Sequence, residues 1–471
     1  MNFAAWSLYT GPSCLNPIIN DPACPWVVGR WDGINESTSK EEIKKDLDYR
    51  ISAVIQYFKQ CIPLFTTYCR NFVIPEFFFH CAQGPYPNIR VDDVLYPFEY
   101  IIAGIKKKLD EVIPDDNNYY TVIVGSTLTS NIEDYASFLT SAAVLEREAE
   151  LNALLPNNLQ QLMANRGKIA PWKRLIVPTE NTELKALNAF MKHSRANPLC
   201  IVRNRGAYFH FNRTMMKEIE VFIYEKQNES TVDLTMGMFD SNGRVTTNGM
   251  ITEWLGNYPS YSILGGDKQT SQLSTAARFS PQFIGNSDIG VEVCLDHRLQ
   301  RLRRTVNMCV LNGADADNFP IARQFIPSGG MQILDYSVAG DPHSYIFNAD
   351  GCASIYTDYT DPNSCILNGE SGQFKGITCG VYALSLQSKW TGRDGQTYYS
   401  HSQLAATTIQ SAIAGFDNSL GLNNVKAATY IGSAESPSNP ATDAFSTQII
   451  STELDQNIFA LSSGEIHLYQ N

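Results

Sequence analysis

What most restricts the fold of this chain is a run of alternating periodicities between residues 39 and 124. Ser39 followed by Glu42 makes a capping box, and Ile43, Leu47, Ile51, Val54, Ile55 and Phe58 then recur at helical spacing, which predicts an amphipathic helix over residues 40–60. Residues 71–79 are an apolar strand interrupted only by Pro75 and Glu76. Phe98, Ile101, Ile102, Ile105 and Leu109 share one face of a second helix over residues 94–112, whose Lys106, Lys107 and Lys108 read as solvated charge. Tyr119 to Val124 is a short buried strand closed by Gly125-Ser126. Such alternation gives an α/β sheet covered by helices, and 471 residues suffice for one large domain with an extension.

Three strand ends carry candidate residues: a carboxylate that its apolar flanks make hard to explain as surface, a lysine and a cysteine. Glu76 lies amid Phe72, Val73, Ile74, Phe77, Phe78 and Phe79, and a carboxylate buried there needs a partner. Residues 218–228 form a strand that ends at Lys226; Lys217 lies nearby, and a lysine at a strand end is more often a solvated edge residue. Ile289, Val291 and Val293 alternate with Gly290 and Glu292 in a strand that delivers Cys294 to its edge, and Arg298 to Val310 follow at helical spacing. A cysteine at a strand-to-helix turn meets outward-pointing N–H groups that favour a thiolate and hold an oxyanion. Buried cysteines are more often inert, so the local pattern alone favours packing over reactivity.

Taken in order, Pro75-Glu76, Tyr224-Glu225-Lys226 and Gly290-Val291-Glu292-Val293-Cys294-Leu295-Asp296-His297-Arg298 resemble the Glu/Lys/Cys signature of the nitrilase, or carbon–nitrogen hydrolase, superfamily. The resemblance implies a four-layer αββα sandwich over about residues 40–360, within a catalytic domain at 1–360. It also implies thiol-dependent hydrolysis of a non-peptide carbon–nitrogen bond, an amide in preference to a nitrile. Cys294 would be the nucleophile, Glu76 the general base and acid, Lys226 the cation for the oxyanion and the Leu295 N–H a second donor. Asp296 and Arg298 match positions after the cysteine, where the arginine looks structural. The resembling enzymes carry a second glutamate beyond the lysine; Glu229, Asp233 and Glu253 all qualify by position, and the sequence does not choose among them. Acyl transfer to an amine on the same three residues, and a non-catalytic partner-binding role on the same scaffold, are the alternative readings. A homodimer is expected by analogy.

Composition excludes several other classes. A net charge of −12 and a pI near 5.1 argue against a general nucleic-acid binder, which needs a basic face. No window holds eighteen apolar residues, and the N-terminus has no basic segment followed by an apolar run, so neither a membrane span nor a secretory signal is expected and the location reads as cytoplasmic. Eleven cysteines include no Cys-x-x-Cys pair, which points to free thiols in a reducing compartment; a bridge among Cys352, Cys365 and Cys379 is the alternative. His80, His210 and His297 raise a Cys–His arrangement, but His297 stands too near Cys294 to act easily as its base. No metal-like histidine pair and no phosphate-cradling glycine motif occurs, so neither metal nor cofactor is expected.

Elsewhere the chain reads more weakly. Residues 1–36 suggest an ordered but irregular segment around Trp6, Trp26 and Trp31, and residues 130–195 a helical insertion. Cys200–Val202 and Ala207–Phe211 resume strand character, and residues 230–285, with turn signals at Asp240–Gly243 and Ile263–Asp267, suggest a lid or specificity segment. Gln324–Leu334 and Ser344–Phe347 read as strands, with a turn at Asn348–Gly351. Residues 361–471 read as a C-terminal extension, with a helix at Leu404–Ile413 and a closing hairpin of Phe459–Leu461 with Ile466–Tyr469.

Overall fold

A computed structural model describes residues 1–11, 39–81, 84–133, 199–226, 251–254, 289–298, 302, 321–334, 337–339, 344–351, 383–391, 397–406, 445–455, 457–459 and 463–471. Within them the chain is a mixed α/β protein with two sheets. Most of the expected insertion at 130–195 and of the lid at 230–285, and the cysteines at 352, 365 and 379, lie outside the described residues.

The helix predicted from the capping box is α1, Lys40–Cys61, and the box is formed: the Ser39 hydroxyl accepts the Glu42 N–H while the Glu42 carboxylate accepts the Ser39 N–H. The second helix, α2, is Pro97–Val112 and begins later than its apolar pattern suggested. Asp92 accepts the N–H groups of Val94 and Leu95 in a turn, and the residue before a proline avoids helical backbone, so the helix starts at Pro97.

The first sheet has ten strands. They are β1 Asn2–Leu8, β2 Cys69–Ile74, β3 Tyr86–Pro87, β4 Tyr119–Val124, β5 Thr127–Glu133, β6 Leu199–Phe211, β7 Glu220–Glu225, β8 Ile251–Trp254, and at the far end of the chain β14 Ser446–Glu453 and β15 Ser463–Gln470. The order is β14-β15-β1-β2-β4-β6-β5-β3, with β7 and β8 also paired to β6, and β1, β2 and β4 run parallel. The second sheet is β9 Ile289–Val291, β10 Arg323–Ser328, β11 Tyr345–Asp350, β12 Ala383–Thr391 and β13 Thr397–Ala406, in the order β12-β13-β11-β10-β9 with β9, β10 and β11 parallel. A four-residue helix, α3 Leu295–Arg298, follows Cys294.

Period-two alternation sorts the side chains into layers. Ala4, Trp6, Leu8, Phe72, Ile74, Val122 and Phe209 join Ile43, Leu47, Ile51, Val54 and Phe58 of α1 and Ile101, Ile105 and Leu109 of α2 in one core. Phe3, Ala5, Val73, Ile123, Tyr208 and Tyr469, from the opposite face, meet Val291, Phe325, Phe347 and Leu404 of the second sheet in another. Each such large side chain taken fully from water stabilises the fold by about 1.5–3 kcal/mol. On the outer face of the second sheet Ile326, Ile346 and Ala405 pack with Ile333 and Val338.

Several readings of the sequence are corrected. Residues 2–8 are not irregular: all seven are buried in the middle of a sheet, and a strand covered on both faces loses the alternation that marks half-exposed strands. Asn348, Ala349 and Asp350 are the end of β11, paired with β10, where turn composition predicted a reversal. Leu404–Ala406 are strand, not the start of a helix; residues 407–413 lie outside the described residues. The hairpin partner of β15 is β14, not Phe459–Leu461. Residues after 360 are not an appendage: β12 and β13 complete one sheet and β14 and β15 the other. The two strands expected at Cys200–Val202 and Ala207–Phe211 are one strand, β6.

Candidate active site

The parallel strands of both sheets end beside one another, and the residues just past those ends make the site, as is usual for crevices at the carboxyl edge of parallel sheets. β2 stops at Ile74 because Pro75 has no N–H to continue the ladder, and Glu76 and Phe77 turn away from it. Neighbouring strand ends hold that turn. Thr10, after β1, donates its hydroxyl to the Glu76 carbonyl at 2.5 Å, and Ser126, after β4, accepts the Phe77 N–H at 3.0 Å. Phe77 is in the left-handed region at φ 59°. Gly125 is left-handed too, and a Cβ there would lie 1.9 Å from the Pro75 carbonyl oxygen, so a glycine is required.

Glu76 and Lys226 are brought together. Lys226 Nζ donates to Glu76 Oε1 at 2.8 Å, and both side chains are 0% exposed. Lys226 follows the last residue of β7, and its main-chain N–H is held by the Asn204 carbonyl at 2.9 Å. The Asn204 side chain donates to the same Glu76 Oε1 at 2.8 Å. The ammonium also lies 5.6 Å from the centre of the Phe77 ring. Two charges this far from water persist because each neutralises the other and Asn204 adds a donor.

Cys294 reaches the same place from the second sheet. It is a non-glycine residue with φ 47°, in the tight turn between β9 and α3, a conformation that costs about 1–3 kcal/mol and gathers at functional sites. Its N–H donates to the Pro327 carbonyl at 3.2 Å and its carbonyl accepts the His297 N–H at 2.9 Å. The thiol lies 3.9 Å from the Gly329 carbonyl oxygen and is 4% exposed. Gly329 is also pressed against Glu76 and its neighbour: a Cβ there would stand 3.1 Å from the Phe77 ring and 3.4 Å from Glu76 Oε2. The turn that contains Gly329 is held by Asp350, whose Oδ1 accepts the Gly330 N–H at 2.5 Å and the Ser328 hydroxyl at 3.2 Å.

The other residues singled out from sequence fall as follows. Leu295 opens α3 directly after the thiol, Asp296 is buried with its N–H on the Val293 carbonyl, and Arg298 is exposed at the end of α3. Glu229 and Asp233 lie outside the described residues, and Glu253 is in β8, paired with Ile201. The histidines do not face the thiol as a base would. Burial pushes both His80 and His210 down to about 3, and they contact the Cys81 carbonyl and the Thr121 hydroxyl respectively. His297 spends its ring nitrogens on Glu292 and the Leu334 N–H. Asn204, Gly329 and Asp350 were not anticipated. Asn204 sits between Arg203 and Arg205, and a short polar run between Val202 and Ala207 inside an otherwise apolar strand was the available signal.

Among the described residues Cys61, Cys69, Cys81 and Cys294 form no disulfide, and no group of three or more His, Cys, Asp or Glu is arranged for a metal ion. Among the same residues no helix is long and apolar enough to cross a membrane. No family model, curated protein or solved structure matches this chain.

Proposed function

We propose that this chain hydrolyses a non-peptide amide through a covalent acyl-cysteine intermediate, on a nitrilase-like αββα scaffold whose fourth layer would cover the Ile326, Ile346 and Ala405 face. The observation that carries the reading is the 2.8 Å contact between Lys226 and Glu76, made across 150 residues of sequence and abutting the glycine that faces the Cys294 thiol. A purely structural ion pair would not account for a strained cysteine at the same spot.

In the proposed reaction Glu76 takes the thiol proton and the sulfur attacks the amide carbon, forming an S–C bond. Charge on the carbonyl oxygen is met by the Lys226 ammonium and the Leu295 N–H. Lysine suits the role because its charge is compact and is held by the adjacent carboxylate. Collapse of the adduct breaks the C–N bond as Glu76 returns its proton to the departing amine, leaving a thioester. A water deprotonated by Glu76 then attacks the thioester, the carboxylic acid leaves and the sulfur recovers its proton.

The test is intact-mass trapping of acyl adducts from a pool of small amides, run beside Cys294→Ala, Glu76→Gln and Lys226→Met. The wild type should gain an acyl mass, Cys294→Ala none, and the other two should lose turnover by at least about a hundredfold. Turnover without an added amine distinguishes hydrolysis from acyl transfer, because a hydrolase releases the carboxylic acid into water alone whereas a transferase needs an acceptor such as hydroxylamine to discharge its thioester. Iodoacetamide at neutral pH should label Cys294 ahead of Cys61, which burial pushes up to about 12, and of Cys81, which burial also raises well above the ordinary thiol range. Equal labelling of all cysteines, with no adduct, would leave a binding scaffold in place of an enzyme.

A further inference from the structure

A second buried polar cluster lies beside the turn that carries Cys294. Glu292, 0% exposed, stands two residues before Cys294. Its Oε1 accepts hydrogen bonds from His297 Nδ1 and Gln324 Nε2, each at 2.6 Å, and its Oε2 accepts the Leu302 N–H at 3.0 Å. The other nitrogen of His297, Nε2, accepts the Leu334 N–H at 2.9 Å. A main-chain N–H can only donate, so Nε2 carries no hydrogen in this bond and the Nδ1 hydrogen is directed at Glu292. Gln324 in turn accepts the Ala339 N–H through Oε1 at 2.9 Å.

We propose that Glu292 and His297 are positioning residues that lock the turn bearing Cys294 to the Gly329–Leu334 segment. The thiol, the Gly329 carbonyl and Glu76 then keep one mutual arrangement. A cysteine in the left-handed region stays there only where its surroundings over-determine it. The main-chain bonds of Cys294 run to Pro327 and His297, and His297 is the residue whose ring crosses to Leu334, at the other end of the segment from Gly329. A fully buried carboxylate is tolerable because three donors from separate segments converge on it, and that convergence ties together the strand before the thiol, the turn after it and β10. The inference rests on Cys294 being the nucleophile.

The experiment uses the full chain, with His297→Phe and His297→Gln beside the wild type. One readout is hydrogen-exchange protection of the Leu334 amide, the other the pH profile of Cys294 alkylation by iodoacetamide. Phenylalanine keeps the ring and loses both nitrogens: protection should vanish and alkylation at neutral pH should slow by about tenfold or more, with a displaced midpoint. Glutamine offers one donor and one acceptor at similar reach and should keep both readouts within about twofold of wild type. A folded His297→Phe protein with the wild-type profile overturns the proposal, as does either variant in which one readout moves without the other. Should the phenylalanine variant not fold, the glutamine variant decides by that same rule. Alkylation needs no substrate, so absence of amide turnover leaves this result standing, whereas a wild-type Cys294 no faster than the other cysteines sinks the proposed function itself.

Discussion

Glu76 Oε1 is held from two directions, by Lys226 and by Asn204, and the two contacts separate cleanly by substitution. Asn204→Leu removes the side-chain donor while its main-chain carbonyl still holds the Lys226 N–H. On the proposed reaction the expected result is a fall in kcat of about tenfold to a hundredfold with KM nearly unchanged, since a misplaced base would cost rate more than binding. Steady-state amide hydrolysis measures this, and an unchanged kcat would remove Asn204 from the site. His80 and His210 make a pH prediction. Both titrate near 6.5 when unfolded but refuse a proton until about 3 when folded, because burial penalises the charged ring. Protons therefore favour the unfolded chain. The stability these residues contribute is complete above pH 6.5 and is lost as pH falls from 6.5 toward 3, at up to about 1.4 kcal/mol per pH unit for each histidine. Urea midpoints between pH 6.5 and 4 should fall less steeply in His210→Phe than in the wild type; parallel slopes would contradict the buried, uncharged state.

Among the elements, those closest to ordinary local rules were the legible ones. α1 was readable to within a residue because its cap and its apolar stripe are both local, and Ser39→Ala should lower stability by about 1 kcal/mol, measured as a urea midpoint shift with unchanged m-value. α2 was readable in type but not in start, since the Asp92 turn competes for the first residues. β1 and the end of β11 were misread for one reason. Composition describes average exposure, whereas Trp6 is fully buried with its indole N–H on Thr452 at 3.1 Å, and Asp350 is fully buried with its carboxylate turned to Gly330. Glu76 was legible because it breaks an apolar run, and Lys226 and Cys294 because each stands at the end of a strand pattern. Asn204 and Gly329 were not, because their roles depend on what lies across the gap between strands remote in sequence.

For the molecule as a whole, the C-terminal strands are the decisive correction. β15 pairs with β1 from Asn2 to Leu8, and β13 pairs with β11, so a chain ended at residue 360 would lose one neighbour of β1 and two strands of the second sheet. It would also uncover the apolar faces that Ile466, Leu468, Tyr469 and Leu404 now cover. Such a truncation should show no cooperative urea transition by far-UV circular dichroism, and a cooperative one would restore residue 360 as a domain boundary. By itself the sequence determined the alternating helices and strands and marked Glu76 as a carboxylate set among apolar residues, because periodicity, capping and polarity act over a few residues. Only the tertiary structure decided that the first and last strands of the chain lie side by side, that Lys226 finds Glu76, and that Gly329 closes on both Glu76 and the Cys294 thiol. Those contacts join residues tens to hundreds of positions apart, and their energies exist only once the sheets have packed.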